Sequence, residues 1–425
     1  MARTEHSFSA GSGSPAAAPA ALRGRGAVTN VRHRFQQTDR VGLDDAVLQA
    51  DVPGAGCPSP EDPSPLRSVP IRTEVQAEQA RKLLSRNDSP DIPFDVAINP
   101  YRGCEHGCVY CYARPTHAYL GYSPGLDFET RLVAKANAVQ VLRGELARPG
   151  YRVSPINLGS ATDIYQPIER DWRLTRGLLE LLAETRHPVT LVTKNALVER
   201  DIDVLQALAQ RNLVMVYVSI TTLDADMART LEPRASAPWR RLQAVRKLAQ
   251  AGIPVGVLAA PMIPFINDES LEAVLHAAAE AGACFGSYTV VRLPWEVKDV
   301  FEEWLHTHFP DRAQRVLHRI EDMRGGHRND PRFGSRMRGT GIWADLLRQR
   351  HAVAVRKLGL NLTRPQLDCG QFIAPSPMPA SADAAGPVQR GAPAAPARAA
   401  AGALRMAAAA LQVEAARAGQ LSLFD

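Results

Sequence analysis

Along the chain, short runs rich in Val, Ile and Leu alternate with longer stretches in which apolar residues return every three or four positions. The short runs are FDVAINP (94–100), INLGSAT (156–162), VTLVTKN (189–195), LVMVYVSITT (213–222), IPVGVLAAPMI (253–263) and SYTVVRLP (287–294). Their near-continuous apolar character predicts strands covered on both faces. The stretches between them predict helices, among them LTRGLLELLAETR, DIDVLQALAQR, WRRLQAVRKLAQAG and ESLEAVLHAAAEAG. A further helix is expected over 128–147, from the spacing of Leu132, Val139, Leu142 and Leu146. Six strands alternating with helices predict an α/β fold, a partial (β/α)6 barrel open on one side. A doubly wound open sheet is the alternative.

This core is expected over 90–300. Residues 1–70 are rich in Pro, Gly, Ala and Ser and are expected to form a disordered or extended tail, draped at most on the surface. An Arg-rich helical extension is expected over 301–372, an Ala/Pro-rich linker over 373–418 and a short apolar peptide over 419–425.

Composition narrows the class. At 425 residues and 45% hydrophobic, the chain can bury one large core or two modest ones. No run approaches the length of apolar sequence that a membrane span needs, and the amino terminus has no uninterrupted apolar signal region. Of six cysteines, three share one loop, while Cys57, Cys284 and Cys369 are scattered. That distribution does not describe a secreted disulfide framework, so a reducing, cytoplasmic location is expected. The net charge of +6 suits a polyanionic partner without requiring one.

The clustered cysteines are Cys104, Cys108 and Cys111, in NPYRGCEHGCVYCYARPTH (99–117), at the spacing C-x3-C-x2-C. Three is too many for a disulfide and too few for a closed tetrahedral metal site. Incidental cysteines are one reading, and structural zinc completed by His106 or His117 is another. A [4Fe–4S] cluster held by three soft thiolates, with one iron open, is the third and the favoured one. Gly103 and Gly107 would let the backbone curl around such a group, and Tyr110 would shield a flank from water. The loop follows the first predicted strand, and the polar starts ATD, TKN and SITT follow the next three. Parallel barrels place their chemistry at that end.

The segment CEHGCVYC resembles the signature of the radical S-adenosylmethionine enzymes, and is similar in particular to the branch related to spore photoproduct lyase. The resemblance extends over roughly 91–360 and includes ATDIYQPIER, VTKNALVERDID, SITTLD, LEPRA and PMIPFIND. It implies that S-adenosylmethionine chelates the open iron and is cleaved by one electron to a 5′-deoxyadenosyl radical, which abstracts a hydrogen atom from substrate. It also implies roles around the cofactor. Ser160, Thr162 and Asp163 would meet its amino group, with Gln166 and Glu169 weaker candidates and a helix cap the plain alternative for Asp163. Lys194, with Asn195, and Ser219, with Thr221, would reach its carboxylate or ribose. Glu232 and Arg234 would form a local ion pair or reach the cofactor. Cys284 or Cys369 would serve as hydrogen-atom donor, against the plain reading of packed cysteines. An electron donor of the flavodoxin or ferredoxin kind is implied as a partner.

Two further features point to partners. Arginine recurs at 312, 315, 319, 324, 328, 332, 336 and 338, so the stretch from Arg312 to Arg338 is a candidate nucleic-acid surface with Phe333 as a stacking platform. Its alternative is a helix and loop pinned by ion pairs. The chain ends QLSLFD, from Gln420 to Asp425, which resembles the short peptide by which bacterial repair and replication proteins bind the sliding clamp. A tether of about 45 residues would let it reach roughly 35–40 Å. The expected function is radical S-adenosylmethionine chemistry on nucleic acid, plausibly damaged DNA. Radical modification of tRNA, protein or a metabolite is the rival enzymatic reading, and a non-catalytic iron–sulfur protein the other.

Overall fold

A computed structural model describes residues 21–36, 71–363 and 366–376. Its strands are β1 (Glu74–Glu78), β2 (Leu84–Arg86), β3 (Val96–Ile98), β4 (Tyr101–Arg102), β5 (Arg131–Lys135), β6 (Ile156–Leu158), β7 (Val189–Thr193), β8 (Val214–Ser219), β9 (Val255–Met262) and β10 (Phe285–Val290). Seven form one sheet in the order β10-β9-β8-β7-β6-β3-β2. From β3 to β10 every pairing is parallel, and β2 is added antiparallel at the edge. The six parallel strands stand in chain order, so each crossover steps the same way. With right-handed crossovers, that puts the connecting helices on one face and rules out the doubly wound alternative, whose order reverses. Within the sheet, β10 and β2 are unpaired on their outer sides, which leaves the expected open seam.

The strands form where the sequence reading places them because both faces are covered. Ile98, Ile156, Leu158, Leu191, Val216 and Val257 are fully buried. The helices Leu174–Glu184, Pro238–Gln250 and Leu271–Glu280 each turn a mainly apolar side inward.

Two expectations fail here. The helix expected over 128–147 is broken into a single turn at Asp127–Thr130 and a helix at Ala138–Leu146, because Arg131–Lys135 is β5. Leu132 and Ala134 are buried with Tyr101, Ile168 and Leu174 in a second, three-stranded sheet of order β1-β5-β4. The partner strand β1 has mostly polar faces, so nothing local announced the pairing. Residues 21–36 form turns and irregular chain without helix or strand, and they are not superficial: Arg25, Ala27, Val28, Val31 and His33 are buried. The carboxyl-terminal peptide and most of the linker lie outside the described residues, as does Cys57. Among the described residues no helix is long and apolar enough to cross a membrane.

Candidate functional site

The C-terminal ends of the parallel strands gather the loops that begin at Asn99, Gly159, Lys194, Ile220 and Val291. The cysteine loop lies among them and is tied from several sides. Cys104 N–H donates to Phe128 O at 2.9 Å, Val109 N–H to Leu231 O at 3.2 Å and Cys111 N–H to Cys108 O at 3.2 Å. Gly103 and Gly107 adopt φ of +76° and +67°, the left-handed region that a Cβ disfavours.

Beneath the loop, Arg114 is fully buried and uses every N–H it has. Nε donates to Cys108 O (2.8 Å), Nη1 to Pro124 O (3.0 Å) and Gly125 O (2.9 Å), and Nη2 to Gly107 O (3.0 Å) and Glu129 Oε1 (2.5 Å). Glu129 also accepts from the N–H groups of Gly26 (3.0 Å) and Ala27 (2.8 Å). On another side, Thr162 Oγ1 donates to Gly103 O at 2.7 Å, and Gln166 Oε1 accepts from Glu105 N–H at 2.8 Å. The loop's shape is thus fixed by protein groups alone.

All three thiols are free, Cys104 and Cys108 buried and Cys111 half-buried. Burial pushes each of them above the ordinary thiol range; Asp163 and the neighbouring thiols add to this at Cys104, and Glu232 adds to it at Cys108. Thiols so placed stay protonated unless a cation binds, whereas coordination deprotonates them outright. Among the described residues no three His, Cys, Asp or Glu side chains close around a single ion. A cubane cluster makes no such demand, because its thiolates bind separate irons and stand apart. The residues therefore fit a [4Fe–4S] group better than zinc. His117 is elsewhere engaged, with Nε2 2.8 Å from Arg131 O, and burial pushes it down to about 4.

A charged cluster flanks the thiols. Glu232 accepts from Tyr110 Oη, Thr221 Oγ1 and Arg241 Nη2, with Lys194 Nζ at 3.6 Å. Burial would raise its carboxyl, but Arg241 and then Lys194 outweigh burial and hold it down to about 2. Lys194 Nζ donates to Ser219 Oγ at 2.5 Å and stands 5.8 Å above the Tyr110 ring. Asp163 accepts from Thr193 Oγ1 (2.8 Å) and from the N–H groups of Lys194 (2.7 Å) and Tyr165 (2.9 Å), and lies 3.3 Å from His106 Nδ1. Burial raises its carboxyl less than His106 and these donors lower it, so it stays below the usual range. The amide of Asn195 is oriented by Leu197 N–H, so its Nδ2 donates to His106 Nε2 at 3.3 Å and the ring proton belongs on Nδ1.

Of the residues singled out in the sequence, Tyr110, Thr162, Asp163 and Glu232 are thus satisfied by protein partners and act on the loop's support. Ser160, Lys194 and Ser219 lie at strand C-termini with polar atoms toward the loop cluster. Ser160 Oγ accepts from Asn99 Nδ2 at 2.9 Å, and its carbonyl accepts from Tyr112 Oη. Arg234 pairs with Glu105 at 3.0 Å and is one-third exposed. The sequence reading missed Arg114, Glu129, Arg241 and Tyr112. Arg114 and Tyr112 sit within three residues of Cys111 and were the legible ones; the other two are distant in sequence.

The hydrogen-donor expectation is corrected. Cys284 precedes β10 and its Sγ donates to Val255 O, at the start of β9. Cys369 is exposed, next to Asp368, whose N–H donates to Asn212 O just before β8. Both are at the strand N-termini, the opposite end from the thiol cluster. Cys284→Ala and Cys369→Ala are expected to leave cluster absorbance and the product formed from the substrate radical unchanged; an altered product with either would return that cysteine to the chemistry as hydrogen-atom donor.

The arginine-rich segment is only partly internal, with Arg312, Arg315, Arg332 and Arg338 exposed, and several of its arginines are held in ion pairs. Arg324 and Arg336 are buried, Arg324 donating to Val291 O and Arg336 O and Arg336 pairing with Asp91 at 2.5 Å. Arg328 pairs with Glu302 and Glu321, Arg332 with Asp330 and Arg319 with Asp322. Arg312 donates to Phe265 O, Arg315 stacks 3.9 Å from the Phe265 ring centroid and Arg338 lies 6.0 Å from that of Tyr288.

Comparison with known proteins agrees with this geometry. Residues 98–278 match the Radical SAM superfamily. An uncharacterized protein of Mycobacterium tuberculosis is 37% identical over 226 residues, which is 53% of this chain and 66% of that protein. The chain thus spans just under two thirds of the length of this relative. An uncharacterized protein of Methanocaldococcus jannaschii is 26% identical over 46% of this chain and 71% of that one. A tyrosine-to-phenylalanine mutant of spore photoproduct lyase superposes with a TM-score of 0.50 at 19% identity, covering 67% of this chain and 80% of that one, and so shares the fold.

Proposed function

From the match of residues 98–278 to the Radical SAM superfamily, we propose that the protein is a radical S-adenosylmethionine enzyme acting on nucleic acid, with damaged DNA as substrate. The observation that carries the reading is the donor set: three free, enclosed thiols on one loop, at the end of a parallel sheet where the other strand loops converge. When bound, the cluster supplies the electron that splits the sulfonium of S-adenosylmethionine and releases the 5′-deoxyadenosyl radical. The chain's own residues hold and screen. Arg114 holds the carbonyls of Gly107 and Cys108, and Glu129 holds Arg114. Lys194 would meet the cofactor carboxylate, with the Ser160 and Ser219 hydroxyls as neutral partners. The closed Tyr110–Glu232–Arg241 contacts keep water from one flank.

The DNA part of the reading is supported by the net charge of +6 and by the terminal QLSLFD, which would tether the enzyme to the sliding clamp. A flavodoxin or ferredoxin would deliver the electron. The test is 5′-deoxyadenosine formation by the anaerobically reconstituted protein with reductant, with and without ultraviolet-irradiated DNA. Formation is expected, with stimulation by the irradiated DNA. Formation without stimulation would remove DNA damage as the substrate, and no formation by a cluster-loaded protein that binds the cofactor would remove the enzyme.

A further inference from the structure

Arg292 lies two residues beyond the end of β10, at the same end of the sheet as the cysteine loop. Among the described residues its one hydrogen bond runs from Nη1 to the weakly accepting thioether of Met337, at 3.6 Å. Nε is buried and has no partner. The nearby carboxylate of Asp91 is already taken bidentately by Arg336, through Nε at 2.8 Å and Nη2 at 2.5 Å. A half-buried guanidinium whose buried Nε lacks an acceptor is costly, and a fold keeps one where an anion comes to it.

Its neighbours say what kind of anion. Tyr112, next to Cys111, is 42% exposed although its hydroxyl is tied to Ser160 O, so its ring faces open space above the cysteine loop. The loop over Arg292 bridges the seam of the open sheet: Val290 N–H donates to Met337 O at 2.9 Å on the β10 edge, and Arg336 grips Asp91 beyond β2. On that bridge Phe333 is 48% exposed, with Arg336 4.6 Å from its ring centroid. A planar cation at the same end of the sheet as these exposed rings matches a nucleotide, phosphate on the fork and base on a ring.

We propose that Arg292 anchors a backbone phosphate of the nucleic-acid substrate at the seam, so that one nucleotide is held over Cys111 and Tyr112. This rests on the nucleic-acid reading above and names the residue that carries it inside the barrel. Burial, and after it the like charge of Arg336, lowers the Arg292 pKa, which agrees with a cation short of counter-charge.

The probe is a short single-stranded oligothymidylate, compared with its uncharged methylphosphonate counterpart, binding to the full-length, cluster-loaded protein. Arg292→Met is expected to weaken phosphodiester binding about tenfold or more, the worth of a charge-assisted hydrogen bond. Affinity for the methylphosphonate and for S-adenosylmethionine should stay within about twofold, since neither loses a phosphate contact. Arg292→Lys keeps the charge without the fork and should lie between, deciding the matter if Arg292→Met does not fold. Equal oligonucleotide binding by wild type and variants overturns the anchor alone. Loss of S-adenosylmethionine binding with oligonucleotide binding intact overturns it in favour of the cofactor carboxylate. Failure of the wild type to bind the oligonucleotide overturns the nucleic-acid reading itself.

Discussion

Alanine at Cys104, Cys108 or Cys111, one at a time, is expected to abolish the brown absorbance of the reconstituted protein and 5′-deoxyadenosine formation together. The fold should survive. Each thiol is a small group, buried at Cys104 and Cys108 and half-buried at Cys111, whose loss costs at most about 1 kcal/mol of packing. None of them supports the loop: the backbone of 103–111 is held by Phe128, Leu231, Thr162, Gln166 and Arg114. Circular dichroism should therefore be unchanged while the cluster is lost. A single alanine variant that retains cluster absorbance would show that the assigned ligand set is wrong.

Arg114→Met should lose the cluster for a different reason, and lose stability with it. Four backbone carbonyls and Glu129 would lose the Arg114 guanidinium as donor in a fully buried site, Cys108 O and Glu129 keeping only backbone N–H donors. Removing one partner of a buried ion pair costs about 3–5 kcal/mol. Denaturant unfolding should show a lowered midpoint at unchanged slope. Because much of that cost is the stranded carboxylate, adding Glu129→Gln should recover part of it. Additive losses in the double variant would mean that the pair is not coupled. With alanine at a cysteine the protein stays stable and colourless; with Arg114→Met both properties fall.

The sheet was legible because its strands are buried on both faces and so read as unbroken Val/Ile/Leu runs. The site was legible where chemistry is packed into adjacent residues, as at Cys104, Cys108 and Cys111. Legibility ended where contacts join distant segments. Leu132 has helical spacing with Val139, but a mostly polar strand 50-odd positions upstream captures it. The arginines after Arg312 look alike in sequence, yet Arg324 is enclosed by carbonyls and Arg332 is largely exposed. Cys284 could be assigned to the chemistry only while the strand end it occupies was unknown. Asp163 and Glu232 were picked out for their charge, and their charge is answered by His106, Arg241 and Lys194, which no spacing rule connects to them.

The segment 21–36 bears on how much of this chain must be kept together. Gly26 approaches the cysteine loop so closely that a methyl group on it would sit 1.8 Å from Gly107 O. Arg25 reaches Glu129 O at 3.0 Å and Ile71 O at 2.6 Å, fastening the segment to both β5's lead-in and the start of the second sheet. A protein cut back to the span that the family match makes recognisable, 98–278, would keep Cys104, Cys108 and Cys111 and lose the piece that seals them. Its Glu129 would face water where Gly26 and Ala27 had been. Recognition by sequence and autonomy as a folded unit therefore have different boundaries in this chain, and deletion studies should begin upstream of Arg25.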